Sequence, residues 1–212
     1  MSDQMRFAQS ELANALYFFE YHGPLHKKLG WIEQDKNVKK IYALIRQIKF
    51  PRFPFFLAWA RYMTALHEIK TPKALQKFIE KKPPKGAIAE KWQEEAEKMG
   101  DILQEIFNLY MKERLTKERK TVFEKNCEEI KKKFLPILPQ LKEESEKLPG
   151  ISWKKKNIVI CLLDPLDGRL TFKSPFGEVL YIEASEKMIT HEDLLLHELT
   201  KALNFTKPIG SW

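Results

Sequence analysis

A chain of 212 residues that is 43% apolar and 31% charged can bury one core or two small ones. Its richest apolar run, 53–66, is about 14 residues long and carries Arg61, short of the ~20 residues of a membrane-spanning helix, which excludes a membrane partner. The net charge of +8 arises from 37 Lys and Arg against 29 Asp and Glu, and the two signs mostly alternate along helical faces, so a nucleic-acid partner is disfavoured and a solvated surface expected.

The lysine groups 131–133, 154–156, and Lys81, Lys82 and Lys85 lie beside acids or prolines rather than aromatics. This mix also suits proteins from hot environments. Cys127 and Cys161 are the only cysteines, too few for a disulfide framework or a structural zinc knuckle. The opening MSDQMRFAQSELANAL lacks the basic start and apolar block of an export signal, which predicts a cytoplasmic location.

In chain order, residues 1–149 read as a helical region with no strand signal. Leu12, Ala15, Leu16 and Phe19 predict a helix ending near His22-Gly23-Pro24. A second, over 35–49, carries Val38, Ile41, Tyr42, Ile45 and Ile48 on one stripe. A third is expected over 55–69. Thr71-Pro72 is a start signal, a capping hydroxyl before a proline at the first helical position, for a helix running to Lys82. Apolar residues from Ile88 to Tyr110 predict a long helix over 87–115, and a further one spans 116–135. A short helix over 140–147 ends at Leu148-Pro149-Gly150.

After Gly150 the pattern changes. Ile158 to Leu163 is an apolar, β-branched run between Asn157 and Asp164-Pro165. Asp167-Gly168 and 174–177 are turn signals, so strands around Leu170–Phe172 and Val179–Ile182 complete an antiparallel meander. Thr190 then reads as the cap of a helix, with Asp193 at its third position and a leucine-rich stripe from Leu194 to Leu203. Residues 150–212 thus form a β-sheet plus helix unit, and the chain is α+β: an N-terminal multi-helix bundle, a small antiparallel sheet, then a helix that resembles an active-site helix.

That helix holds the chemistry. In H-E-x-x-H two imidazoles four residues apart share one helical face, where both reach a metal through bonds of ~2.0–2.1 Å. The intervening glutamate takes a proton from metal-bound water, whose pKa zinc lowers to roughly 7. Here 195–203 reads L-L-H-E-L-T-K-A-L. The segment resembles the active-site helix of the zincin metallopeptidases, and the strands before it resemble the small twisted sheet of those folds, with 179–183 as the edge strand that pairs with substrate. The likeness covers about 153–205. It implies that His197 is the first metal ligand and Glu198 the catalytic general base.

The segment departs from that pattern in two respects. Lys201 stands at the second-ligand position, and its ammonium repels a divalent cation. The eleven residues after Lys201 contain no histidine or glutamate to serve as a third ligand. Asp193, four residues before His197, shares its face but suits the helix cap, and His191 points elsewhere. His22 and His26 are separated by a helix-breaking Gly-Pro, and His67-Glu68 offers no paired ligand. Lys201 at a helix C-terminus complements the dipole and can pair with Glu198.

The expectation is a protein of metallopeptidase ancestry with a degraded metal site, acting through binding or as a scaffold toward a protein or peptide partner. No cofactor is expected; zinc would be required were the chain an active peptidase with unconventional ligands. A helical partner-binding module built on the aromatic residues of 17–62, or a nucleic-acid-binding protein built on the lysines, are the other readings.

Overall fold

The computed structural model describes residues 6–22, 36–48, 66–83, 88–137, 139–140, 143, 147, 159–166, 171–173 and 179–190. The chain forms two compact units, Ser10–Thr116 and a second drawn from Met1–Gln9 with Lys117–Trp212. The division falls at Gln9 and Thr116, whereas the proline-glycine joint near 150 marks the expected boundary between 1–149 and 150–212.

In Ser10–Thr116, helix α1 (Glu11–His22) starts where the Ser10 hydroxyl accepts the Ala13 amide at 3.1 Å. Residues Leu12, Ala13, Ala15, Leu16, Tyr17, Phe18 and Phe19 are all buried, so this helix is apolar around nearly its whole circumference, as an interior helix must be. Helix α2 (Lys36–Ile45) buries only Val38 and Ile41, and its Lys40 pairs with Glu105 at 2.7 Å. Helix α3 (Pro72–Glu80) is capped as expected, with Thr71 Oγ1 accepting the Ala74 amide at 3.2 Å. Helix α4 (Ala89–Glu113) is the spine. Its stripe of Trp92, Ala96, Met99, Leu103, Ile106 and Tyr110 is buried, and each large side chain withdrawn from water contributes about 1.5–3 kcal/mol. Tyr110 meets Phe18 of α1 with ring centroids 5.9 Å apart, and Phe19 meets Tyr42 of α2 at 5.5 Å. The Trp92 indole donates to the carbonyl of Ile79 at 3.1 Å and ties the start of α4 to the end of α3. Further along, α4 presents Gly100 to the Gln76 side chain, where a methyl group would meet the amide carbon at 2.6 Å. The helix expected over 55–69 lies outside the described residues up to 65, and 66–68 form a turn.

The second unit is built on four strands: β1 (Arg6–Gln9), β2 (Val159–Leu163), β3 (Thr171–Lys173) and β4 (Val179–Glu183), in the spatial order β1-β2-β4-β3. Strands β1, β2 and β4 run parallel, with Phe7 opposite Ile160 and Ile160 opposite Leu180. Only the three-residue β3 is antiparallel to its neighbour, β4. Helix α5 (Lys117–Phe134) lays Phe123, Cys127, Ile130 and Phe134 on the face formed by Ile160, Leu162, Leu180 and Ile182. A short helix α6 (Glu186–Thr190) adds Met188 to that core.

The antiparallel sheet expected from the turn signals is therefore corrected. In β2 and β4 every residue is buried, those facing α5 and those pointing the opposite way alike, and strands buried on both faces belong to the interior of parallel sheets. The turn signals at 167–168 and 174–177 lie outside the described residues, and β3 lies outside β4 instead of between β2 and β4. This also moves β4 from the edge expected of 179–183 to the interior. A strand lies in the N-terminal region after all: Arg-Phe-Ala-Gln carries too little apolar alternation to be read alone, and becomes a strand because β2 offers it a free edge. Thr190 closes α6, its hydroxyl donating back to the Glu186 carbonyl at 2.9 Å. Of the helix expected over 140–147, only 140, 143 and 147 are described, and 140 and 143 are helical.

The Trp92 link separates packing from hydrogen bonding. Trp92→Phe retains most of the ring but removes the indole donor, leaving the Ile79 carbonyl to the Lys82 amide that it also accepts at 3.0 Å, and should lower unfolding free energy by about 1 kcal/mol; Trp92→Ala should cost about 3–5 kcal/mol. Urea denaturation of both variants checks the difference.

Candidate functional site

His197, Glu198 and Lys201, with Asp193 and His191, lie outside the described residues, as do His26 and the side chain of His22. What the structure describes is the connection leading to them. Beyond β4, the Ala184 amide donates to the Leu163 carbonyl at 2.8 Å and prolongs the β2–β4 ladder by one bond. Asn126 of α5 donates to the Ala184 carbonyl at 2.9 Å. Ser185 then opens α6, its carbonyl accepting from Met188 and Ile189 at 3.0 and 3.3 Å. Lys133 donates to the Ile189 carbonyl at 2.6 Å, where a cation complements the negative end of a helical turn. Two polar side chains of α5 thus hold both ends of 184–189 while Met188 fills the core between them.

A second cluster sits at the carboxyl ends of β2 and β4, the end of parallel strands where open α/β sheets place ligands. Asp164 and Glu183 are both buried there, at 3% and 2% exposure. Glu183 Oε1 accepts the Leu166 amide at 2.9 Å. Arg119 of α5 lies 3.4 Å from the Asp164 carboxylate and donates to the Pro165 carbonyl at 2.8 Å. Glu183 thus holds the segment 164–166 through the Leu166 amide while Asp164 faces Arg119, which makes this end of the sheet a latch. The sequence marks Asp164-Pro165 only as the end of a strand; the burial of Glu183 has no signal, because a glutamate ending a strand ordinarily faces water.

The thiols are chemically quiet. Burial pushes Cys161 up to about 12, and burial likewise pushes Cys127 up to about 12, against the opposing pull of the Gln9 side chain and Lys131. Since the thiolate is the reactive species, neither is set up as a nucleophile at neutral pH. His67 Nε2 lies 3.3 Å from the carboxylate of its neighbour Glu68, a local pairing.

Among the described residues, no group of three or more His, Cys, Asp or Glu is arranged to hold a metal ion, and no helix is long and apolar enough to cross a membrane. No protein-family model, no curated protein and no solved structure matches the chain.

The latch and the thiols yield separate expectations. Glu183→Leu keeps volume but strands the Leu166 amide, and should lower stability by about 1–3 kcal/mol, whereas Glu183→Gln, which can still accept, should cost less; chemical denaturation measures both. The native thiols should react with a maleimide at pH 8 at least about a hundredfold more slowly than the same chain in urea. Because both folded thiol values lie above the ordinary 9.0, their contribution to stability is complete below pH 9 and is lost as the pH rises toward 12. Cys127→Ala/Cys161→Ala should therefore lose less of its Tm between pH 9 and 11 than the parent.

Proposed function

We propose that the C-terminal part of the chain is a zincin-like module of metallopeptidase ancestry whose metal site is degraded, and that it acts by binding a protein or peptide or by serving as a scaffold. The carrying observation is Lys201. It stands where the second imidazole of H-E-x-x-H belongs, four residues after His197, and an ammonium at that position opposes a divalent cation. The chain order supports the kinship: a small sheet ends at Glu183, the connection through α6 is held by Asn126 and Lys133, and the H-E-L-T-K segment begins seven residues beyond Thr190. In this reading His197 and Glu198 are remnants of a ligand and a general base. With one imidazole, the segment lacks the three protein ligands that a catalytic zinc requires.

Metal analysis of the purified chain tests the proposal. The parent should carry well under one zinc per chain after dialysis, and Lys201→His should raise zinc content through a second imidazole on the same helical face. Stoichiometric zinc in the parent, lost in His197→Ala, would overturn the degraded-site reading and favour an active peptidase with unconventional ligands.

A further inference from the structure

Helix α3 buries Pro72, Leu75 and Ile79, which turns Lys73 and Lys77 outward, and Lys81 at its C-cap continues the same ridge. The three lie at four-residue steps, ~6 Å apart along the axis. Each is exposed, and none of the three, nor Lys70 just ahead of them, makes an ion pair with a described residue. Of the described lysines elsewhere in the same unit, Lys40 pairs with Glu105 at 2.7 Å, Lys98 with Glu95 at 2.8 Å and Lys112 with Glu113 at 3.1 Å, while Lys36, Lys39 and Lys91 are exposed without an ion pair to a described residue but do not form a row at four-residue steps. Residues 70–82 hold five lysines and one glutamate, four of the eight net positive charges of the whole chain, and that glutamate, Glu80, accepts a bond from Gln76.

Lys77 and Lys81 lie at the C-terminal end of the helix, where cations complement the dipole, but the row as a whole carries a local cost. Like charges four residues apart repel. The first turn contains no acidic residue, so Lys73 faces the positive end of the helix dipole uncompensated. The position of Lys73 and the like-charge spacing are thus the local rules that the ridge breaks, and a bound anion would offset both.

We propose that the Lys73-Lys77-Lys81 ridge binds the phosphate backbone of a nucleic acid without sequence preference. The chemistry of the ridge selects among anions. It has no arginine between 70 and 82 for paired recognition of carboxylates, which argues against an acidic protein. Its outer face carries no large apolar side chain to enter a bilayer: Leu75 and Ile79 are buried, and Lys82 lies over the Phe78 ring at 4.2 Å. What remains is a row of point charges ~12 Å long, and duplex DNA offers one phosphate charge per ~1.7 Å of axis. This reverses the sequence-based expectation, which groups Lys81 and Lys82 with Lys85 beside the prolines and so misses Lys73 and Lys77. It is independent of the C-terminal module, which contributes no residue to the ridge.

Fluorescence anisotropy of a labelled 20-base-pair DNA duplex of random sequence, titrated with the full chain, provides the test. Three phosphate contacts imply that affinity falls about 40-fold between 50 and 200 mM salt. Lys73→Gln/Lys77→Gln/Lys81→Gln should weaken binding at 50 mM salt by about tenfold or more and flatten that dependence. The charge-matched control Lys112→Gln/Lys125→Gln/Lys131→Gln should bind like the parent, and Lys73→Arg/Lys77→Arg/Lys81→Arg should keep the salt dependence. Circular dichroism establishes that each variant is folded. Equal losses in the glutamine variant and its control, loss of binding in the arginine variant, or absence of duplex binding at 50 mM salt would each overturn the proposal. So would ridge-dependent binding of polyglutamate or phosphatidylserine vesicles without binding of the duplex.

Discussion

The second unit depends on the burial of β2 from every side. Val-Ile-Cys-Leu-Leu has no polar side chain, its backbone is paired on one edge by β1 and on the other by β4, and all five residues are buried. Such a strand is stable only if chain distant in sequence supplies both neighbours, since an unpaired backbone group in an apolar interior costs as much as a lost hydrogen bond. That requirement recruits Arg6–Gln9 from the far end of the chain and sets β4, rather than the nearer β3, beside β2. It also accounts for α5 belonging with the sheet: Phe123, Cys127, Ile130 and Phe134 are the apolar cover for one of its faces.

With the sheet set in this way, its functional ends acquire different characters. The carboxyl ends of β2 and β4 hold two buried carboxylates, and both are used internally, one on the Leu166 amide and one beside Arg119. A buried carboxylate is tolerated only when it is partnered; the Leu166 amide partners Glu183 and Arg119 partners Asp164. The exit from β4 is secured differently, by α5 reaching over to the carbonyls of Ala184 and Ile189. The route toward His197 is consequently anchored by side chains remote in sequence, on a helix that the periodicity alone assigns to the N-terminal bundle.

The Ser10–Thr116 unit follows a simpler rule. Helix α1 is apolar around most of its circumference and buries nearly every described side chain, while α2, α3 and α4 each bury one stripe. Where α3 and α4 meet, Gly100 admits the Gln76 side chain and Trp92 holds Ile79, so the buried face of α3 is set by α4. The outward direction of its lysines follows from that contact.

The elements themselves were largely legible, for local reasons. Thr71-Pro72 starts α3 because a hydroxyl cap and a proline act within one turn, the stripe from Trp92 to Tyr110 specifies α4 through its period, and the apolar run at 159–163 with its polar borders marks a strand. The H-E-L-T-K spacing is likewise a property of the chain alone: it names His197 and Glu198, and it puts an ammonium at Lys201. Tertiary structure decided what depends on partners. Arg6–Gln9 is a strand only against β2. The direction of the sheet is set by burial on both faces rather than by the turns that join its strands. Glu183 is an internal ligand of the backbone only because the turn 164–166 folds over it. Periodicity records which face of an element is apolar, and pairing between distant segments records which faces meet; only the first is written locally in the sequence.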